Sequence, residues 1–204
     1  MFGCRQSHIF PSSGAANPYP CAINVGGLRR GKVLDVNMTL HNITHGSSND
    51  IDVLLVGPRG QNPVVMSDVR GSAAGVSNVT PILDDEATFT MDGIVPANGT
   101  FKPTNVDAFF EGDVFPAPAP LISGKSTLSV FDGTNPNGNW NLFLQDNLGR
   151  GPDGGRLAPS DQGQGQEVGA QRSLSCRVLR VLFIVRGAFP PTKDEPYSRC
   201  TAYP

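Results

Sequence analysis

Residues 32–40, KVLDVNMTL, alternate apolar and polar side chains along most of their length, and this two-residue period recurs between compact turns. A period of two is the pleat of a β-strand with one buried face, whereas a helix needs 3.6. Leu34, Val36, Met38 and Leu40 are therefore predicted to share the buried face of a first strand. In NDIDVLLVG, Ile51, Val53 and Leu55 fall on one face and Leu54 and Val56 make the other apolar too. Such a strand is predicted to be central and covered on both sides. The turn Gly57-Pro58-Arg59-Gly60 follows, with Pro58 preset for its second position, and QNPVVMSD reads as the hairpin partner. STLSVF reads as a further strand. NWNLFLQD puts Trp140, Leu142 and Leu144 on one face, and the single tryptophan is predicted to anchor the core.

Punctuation supports this reading. The 204 residues include 24 glycines and 18 prolines, the two poorest helix formers. A coiled coil is excluded, and no strict glycine period marks collagen. A net charge of −2 gives no electrostatic footprint for nucleic acid. No run of 18 apolar residues encodes a membrane span. The segment VFPAPAP (114–120) is predicted to be an extended surface connection, since proline cannot join a central strand. The summed expectation is an all-β protein, an antiparallel β-sandwich of about eight strands.

The termini differ from the body. MFGCRQSHIF lacks the apolar core of a signal peptide, so either the protein is not exported by that route or the chain is a fragment of a longer export product. Four sequons, at Asn37, Asn42, Asn78 and Asn98, suit surface turns. Cysteines stand only at 4, 21, 176 and 200, without a CxxC zinc or redox motif. Cys4–Cys21 and Cys176–Cys200 bridges both remain open. Beyond residue 150 the balance of charge turns basic, and a Gly/Gln-rich stretch reads as linker. The predicted organisation is an N-terminal extension (1–19), a sandwich (20–158), and a linker with an irregular C-terminal tail (159–204).

Three chemistries deserve weighing. Acidic residues gather at Asp50/Asp52, at Asp84-Asp85-Glu86 and at Asp107/Glu111/Asp113. Neighbouring carboxylates are tolerated when solvated, paired or metal-bound, and hard cations take oxygen ligands, so calcium is the candidate cofactor with Asp84, Asp85 and Asp52 as its ligands. The competing reading is turn chemistry, since aspartate caps turns and helices. Phe109 and Phe110, beside Asp107 and Glu111, form the candidate sugar-stacking patch, with Phe115 and Tyr19 the other exposed aromatics. A protease triad has no support. The histidines are His8, His41 and His45, and His45-Gly46-Ser47 is similar to a subtilase His-Gly-Thr but lies in a polar turn, where His45 is expected to be solvated.

Two segments are more specific than a generic sandwich: NDIDVLLVGPRGQNPVVMSD (49–68) and STLSVFDGTNPNGNWNLFLQD (126–146). They resemble the P domain, or P/Homo B, that follows the catalytic domain of subtilisin-like proprotein convertases. That family has an acidic residue before a strand and L-x-S-P-x-G-T, then P-x-G-x-W-x-L-x-V-x-D. Asp52, Pro58, Gly60, Gly138, Trp140 and Asp146 match these positions. SGAANPYPCAINVGGL, MSDVRGSAAGVSNVTPILDDEA, TFKPTNVDAF and FPAPAP resemble P-domain-like modules of bacterial secreted and surface proteins more closely still. The resemblance runs from about Pro11 to Gly149. It implies a jelly roll with a galactose-binding-like fold, frequent calcium binding, secretion or cell-surface location, and no catalytic residues. The module's implied partner is a neighbouring subtilisin-like serine endopeptidase or surface domain that it stabilises or positions. The alternative is a stand-alone adhesion or carbohydrate-binding module.

After Asp146 the chain departs from that pattern, because NLGRGPDGGRLAPSDQ never delivers the family's last strand, G-x-I-x-G-W-x-L-x-I. Either VLRVLFIV (178–185) takes that strand's place, or the tail is out of frame with its relatives. The second is the preferred expectation, and the transcript across codons 148–160 decides it.

Overall fold

The computed structural model describes residues 2–8, 11, 13–28, 31–69, 75–93, 96–106, 113–147 and 176–186, with the backbone alone described in 2–8 and 176–186. Strands dominate, and two single-turn 3-10 helices are the helical elements among the described residues. The strands are β1 (Phe2–His8), β2 (Gly14–Ala15), β3 (Cys21–Val25), β4 (Lys32–Leu40), β5 (Ile43–His45), β6 (Ile51–Val56), β7 (Val64–Ser67), β8 (Val76–Val79), β9 (Pro81–Leu83), β10 (Gly99–Phe101), β11 (Thr104–Asn105), β12 (Gly138–Asp146) and β13 (Cys176–Arg186). The 3-10 turns are η1 (Ser48–Asp50) and η2 (Leu128–Phe131). No helix among the described residues is long and apolar enough to cross a membrane.

Two larger sheets share one core. One runs β1-β13-β4-β9-β10; the other runs β11-β7-β6-β12-β2, with β3 also on β12; β5 and β8 form a small third sheet. The core-facing row of β6 is Ile51, Val53 and Leu55, that of β12 is Trp140, Leu142 and Leu144, and β4 contributes Val33, Val36, Met38 and Leu40. Trp140 is fully buried and its indole N–H donates to the Pro136 carbonyl at 2.8 Å, so the ring's one polar atom is satisfied. Phe131 lies against it at a ring separation of 4.6 Å. Pairing is antiparallel except for two short parallel ladders, β9–β10 and β7–β11.

Every residue of β6 is buried, as its two apolar faces require. Its outer face, with Leu54, Val56, Val64 and Phe143, is covered by an irregular strap, Asp113–Lys125. Phe115, Ala119 and Ile122 of the strap and Tyr19 pack there. The strap's backbone is tied down by Tyr19 Oη donating to the Pro116 carbonyl (3.0 Å) and Asn62 Nδ2 to that of Leu121 (2.7 Å). The predicted surface connection therefore has an apolar underside. Phe115 is buried rather than exposed, and Tyr19 is half-buried edge-on against Phe143 at 4.9 Å.

Several expectations are corrected. In β4, Val33 is buried and Leu34 is 43% exposed. Val185 faces Val33 and Ile184 faces Asp35, so Leu34 is the extra residue of a bulge, which reverses the alternation at that point. STLSVF is no strand: η2 places Leu128 and Phe131 three apart and inward, as one 3-10 turn does. Within 1–19, Ala15 and Gly14 pair with Gln145 and Asp146, Ala16 is buried and β1 pairs with β13. β13 runs antiparallel between β1 and β4, so 178–185 supplies a strand.

Candidate metal centre

Three carboxylates converge at the edge of the strapped face. Asp52 is the second residue of β6, where alternation points it away from the main core and under the strap. Asp68 follows β7 directly, in a left-handed conformation with φ of 50°. Asp113 begins the strap. One oxygen from each lies within 4.8 Å of the others; Asp52 is buried and the other two are half-buried.

A single hydroxyl holds this group. Ser67 Oγ stands 2.8 Å from Asp52 Oδ1, 3.0 Å from Asp68 Oδ2 and 2.5 Å from Asp113 Oδ1. A serine hydroxyl has one proton to donate, so the other two contacts need protons on the carboxyls or a cation in their place. Gln145 Nε2, on the neighbouring strand, donates to Asp52 Oδ2 at 2.8 Å and to the Val114 carbonyl at 3.1 Å, joining the cluster to the strap. Asn105 Nδ2 donates to Asp113 Oδ2 at 2.7 Å, while Asn105 Oδ1 is buried with no hydrogen-bond partner.

Burial pushes the Asp52 carboxyl well above the usual carboxylate range; the Gln145 and Ser67 bonds oppose this, and the charges of Asp113 and Asp68 add to it. Tyr19 is raised as well, first by burial and then by the Asp52 charge. The donor set is oxygen only: one oxygen from each of three carboxylates, with the Ser67 hydroxyl between them. That set fits a hard divalent cation such as calcium. These residues would hold it; its charge would offset the mutual repulsion of the three carboxylates.

Of the sequence-predicted ligands, Asp52 belongs to this cluster and Asp84 and Asp85 do not. Asp85 accepts from the backbone N–H groups of Leu128 (3.0 Å) and Ser129 (2.7 Å), so both its oxygens cap η2. Asp84 Oδ1 accepts from Glu86 N–H at 2.9 Å, a turn bond. They belong to a second acidic group in which Asp35 is raised by burial and then by Asp84, Asp132 and Asp85. Phe109, Phe110, Asp107 and Glu111 lie outside the described residues. Sequence reasoning passed over Asp68 and Asn105, and did not connect Asp113 with Asp52. The pairing of Val53 with Met66 brings Ser67 beside Asp52, so the β6–β7 hairpin register was the available signal for Ser67 and Asp68.

The motif residues have separable jobs. Gly57 N–H bonds the Gln61 carbonyl (2.8 Å) and Gly60 N–H that of Gly57 (3.0 Å), closing the turn around Pro58, with Gly60 at φ of 87°. A side chain at Gly138 would meet Pro58 Cβ at 2.7 Å, so the two motifs touch and the second needs its glycine. Asp146 ends the core-facing row of β12, where His45 Nε2 meets its Oδ2 at 3.1 Å; the two side chains are 0% and 1% exposed. His45 is thus buried and paired, not a solvated turn residue. The HGSSND turn folds back over the sheet end: Asn147 N–H donates to the Asp50 carbonyl at 2.8 Å.

No protein-family model, no curated protein and no solved structure matches the chain.

Proposed function

We propose that this chain is a non-catalytic, calcium-holding β-sandwich module of the P-domain kind, a jelly roll that stabilises or positions a neighbouring subtilisin-like serine endopeptidase or surface domain. The carrying observation is the convergence of Asp52, Asp68 and Asp113 around one hydroxyl, because Asp52 is itself a position of the resemblance. Adjacency of the two motif strands adds support, with Asp52 opposite Gln145 and Pro58 against Gly138. Cys21 is disulfide-bonded, which suits an oxidising, secreted or surface location. The non-catalytic reading rests on burial: the His45–Asp146 pair offers no atom to a substrate.

Thermal melting of the full chain in calcium and then in chelator tests the cation. At a hundred times its dissociation constant calcium should add about 2.7 kcal/mol, or roughly 5 to 10 °C for a chain of this size. An unchanged midpoint at millimolar calcium would remove the cation from the proposal. The positioning role is checked by producing a subtilisin-like neighbour with and without this chain and measuring its folded yield. Equal yields would refute it.

A further inference from the structure

We infer that the loop Gly46–Asn49 is a two-position element operated by a proton on His45. Ser47 N–H donates to His45 Nδ1 at 3.0 Å, and the carbonyl oxygen of the same Ser47 also touches Nδ1. The first contact needs a lone pair on that nitrogen and the second needs a proton, so one atom cannot satisfy both at once. The other ring nitrogen faces the Asp146 carboxylate. The neutral ring therefore carries its proton on Nε2, donates to Asp146 and accepts from Ser47 N–H. A second proton goes to Nδ1, which then donates to the Ser47 carbonyl and leaves Ser47 N–H to find another partner. The two states differ in which end of one residue the ring holds.

The loop is built for such an exchange. Gly46 lies beside the ring-bearing residue. Ser48 Oγ and Asn49 Oδ1 are buried without hydrogen-bond partners, so the observed arrangement leaves polar groups unsatisfied, and a rearrangement that satisfies one offsets its own cost. The loop is also coupled to the main sheet, through Asp50 to Asn147 just past Asp146. The charged groups around the ring can be named element by element. The end of β12 brings Asp146 and η1 brings Asp50. β8, paired with β5, brings uncharged Val76 and Val79 opposite. β13, whose backbone also passes β5, has Arg177 and Arg180 in its sequence. His41 stands just past the end of β4.

The test is nitrogen-15 spectroscopy of the imidazole and of the loop amides in the full chain, titrated from neutral to acidic pH. At neutral pH the ring should show its proton on Nε2. On acidification Nδ1 should take a proton, and the Ser47, Ser48 and Asn49 amides should shift with the same midpoint. His45→Gln keeps an N–H donor for Asp146 without a titrating ring, and should abolish the amide shifts. The inference is overturned by a proton on Nδ1 at neutral pH, by a ring that never titrates in the folded protein, or by loop amides that titrate unchanged in His45→Gln. Should that variant fail to fold, the parent chain decides alone: a shared midpoint of ring and amides supports the inference and separate midpoints overturn it.

Discussion

Gly138 shows how one missing side chain fixes two motifs. Its φ is 132° and Pro58 Cβ sits 2.7 Å from where a methyl would go. Gly138→Ala should lower stability by about 2 to 5 kcal/mol, from backbone strain plus overpacking, read as the midpoint of a urea transition followed by Trp140 fluorescence. Asp52 makes the complementary case. Asp52→Asn keeps an acceptor for Gln145 and can donate to Ser67, but it cannot ionise. This variant should fold, lose the calcium-dependent rise in melting temperature, and titrate less steeply between pH 4 and 8. A variant that still gains stability from calcium would place the ion elsewhere.

At the level of elements, the strap matters more than its irregular shape suggests. Phe115 is its buried anchor, at 7% exposure over Leu54, Val64 and Phe143. Phe115→Ala should cost about 3 to 5 kcal/mol and should speed proteolytic cleavage between Asp113 and Lys125, which limited digestion would read. Legibility in the sequence follows the same division. β6 and β12 were legible because their inward rows, Ile51-Val53-Leu55 and Trp140-Leu142-Leu144, recur at every second residue and turn residues bound them. η2 was not, since Leu128 and Val130 would share one face of a strand, and the turn that points Leu128 and Phe131 inward instead is capped by Asp85 from another part of the chain. Leu34 was misplaced because a bulge is a property of two strands, and β13 lies far along the chain. The cluster was half legible: Asp52 stands in a motif, whereas Asp113 reaches it only through the strap. Acidic pairs adjacent in sequence, such as Asp84-Asp85, are the easier pattern to notice and here serve the backbone.

For the whole molecule, burial and mutual repulsion raise the Asp52, Asp35 and Asp132 carboxyls. A carboxyl raised in the folded state holds its proton longer than in the unfolded chain, so its contribution is full below the unfolded value, about pH 4, and is lost as pH rises through the folded one. Without divalent cations, stability should therefore decline from mildly acidic toward neutral pH. Saturating calcium should flatten that decline, as urea midpoints across a pH series would show. A cation-free profile that climbs steadily to pH 8 would contradict the directions given for these groups.

The placement of β13 has a consequence for the order of events in the cell. The strand sits between β1 and β4, yet it leaves the ribosome after every other described strand. Until it arrives, β1 has no neighbour in its sheet and one edge of β4 is bare, an invitation to wrong partners. Contacts between such distant stretches form slowly. Closure of this half of the sandwich must wait until synthesis has passed Arg186, so a stall before that point leaves an open sheet that depends on chaperones.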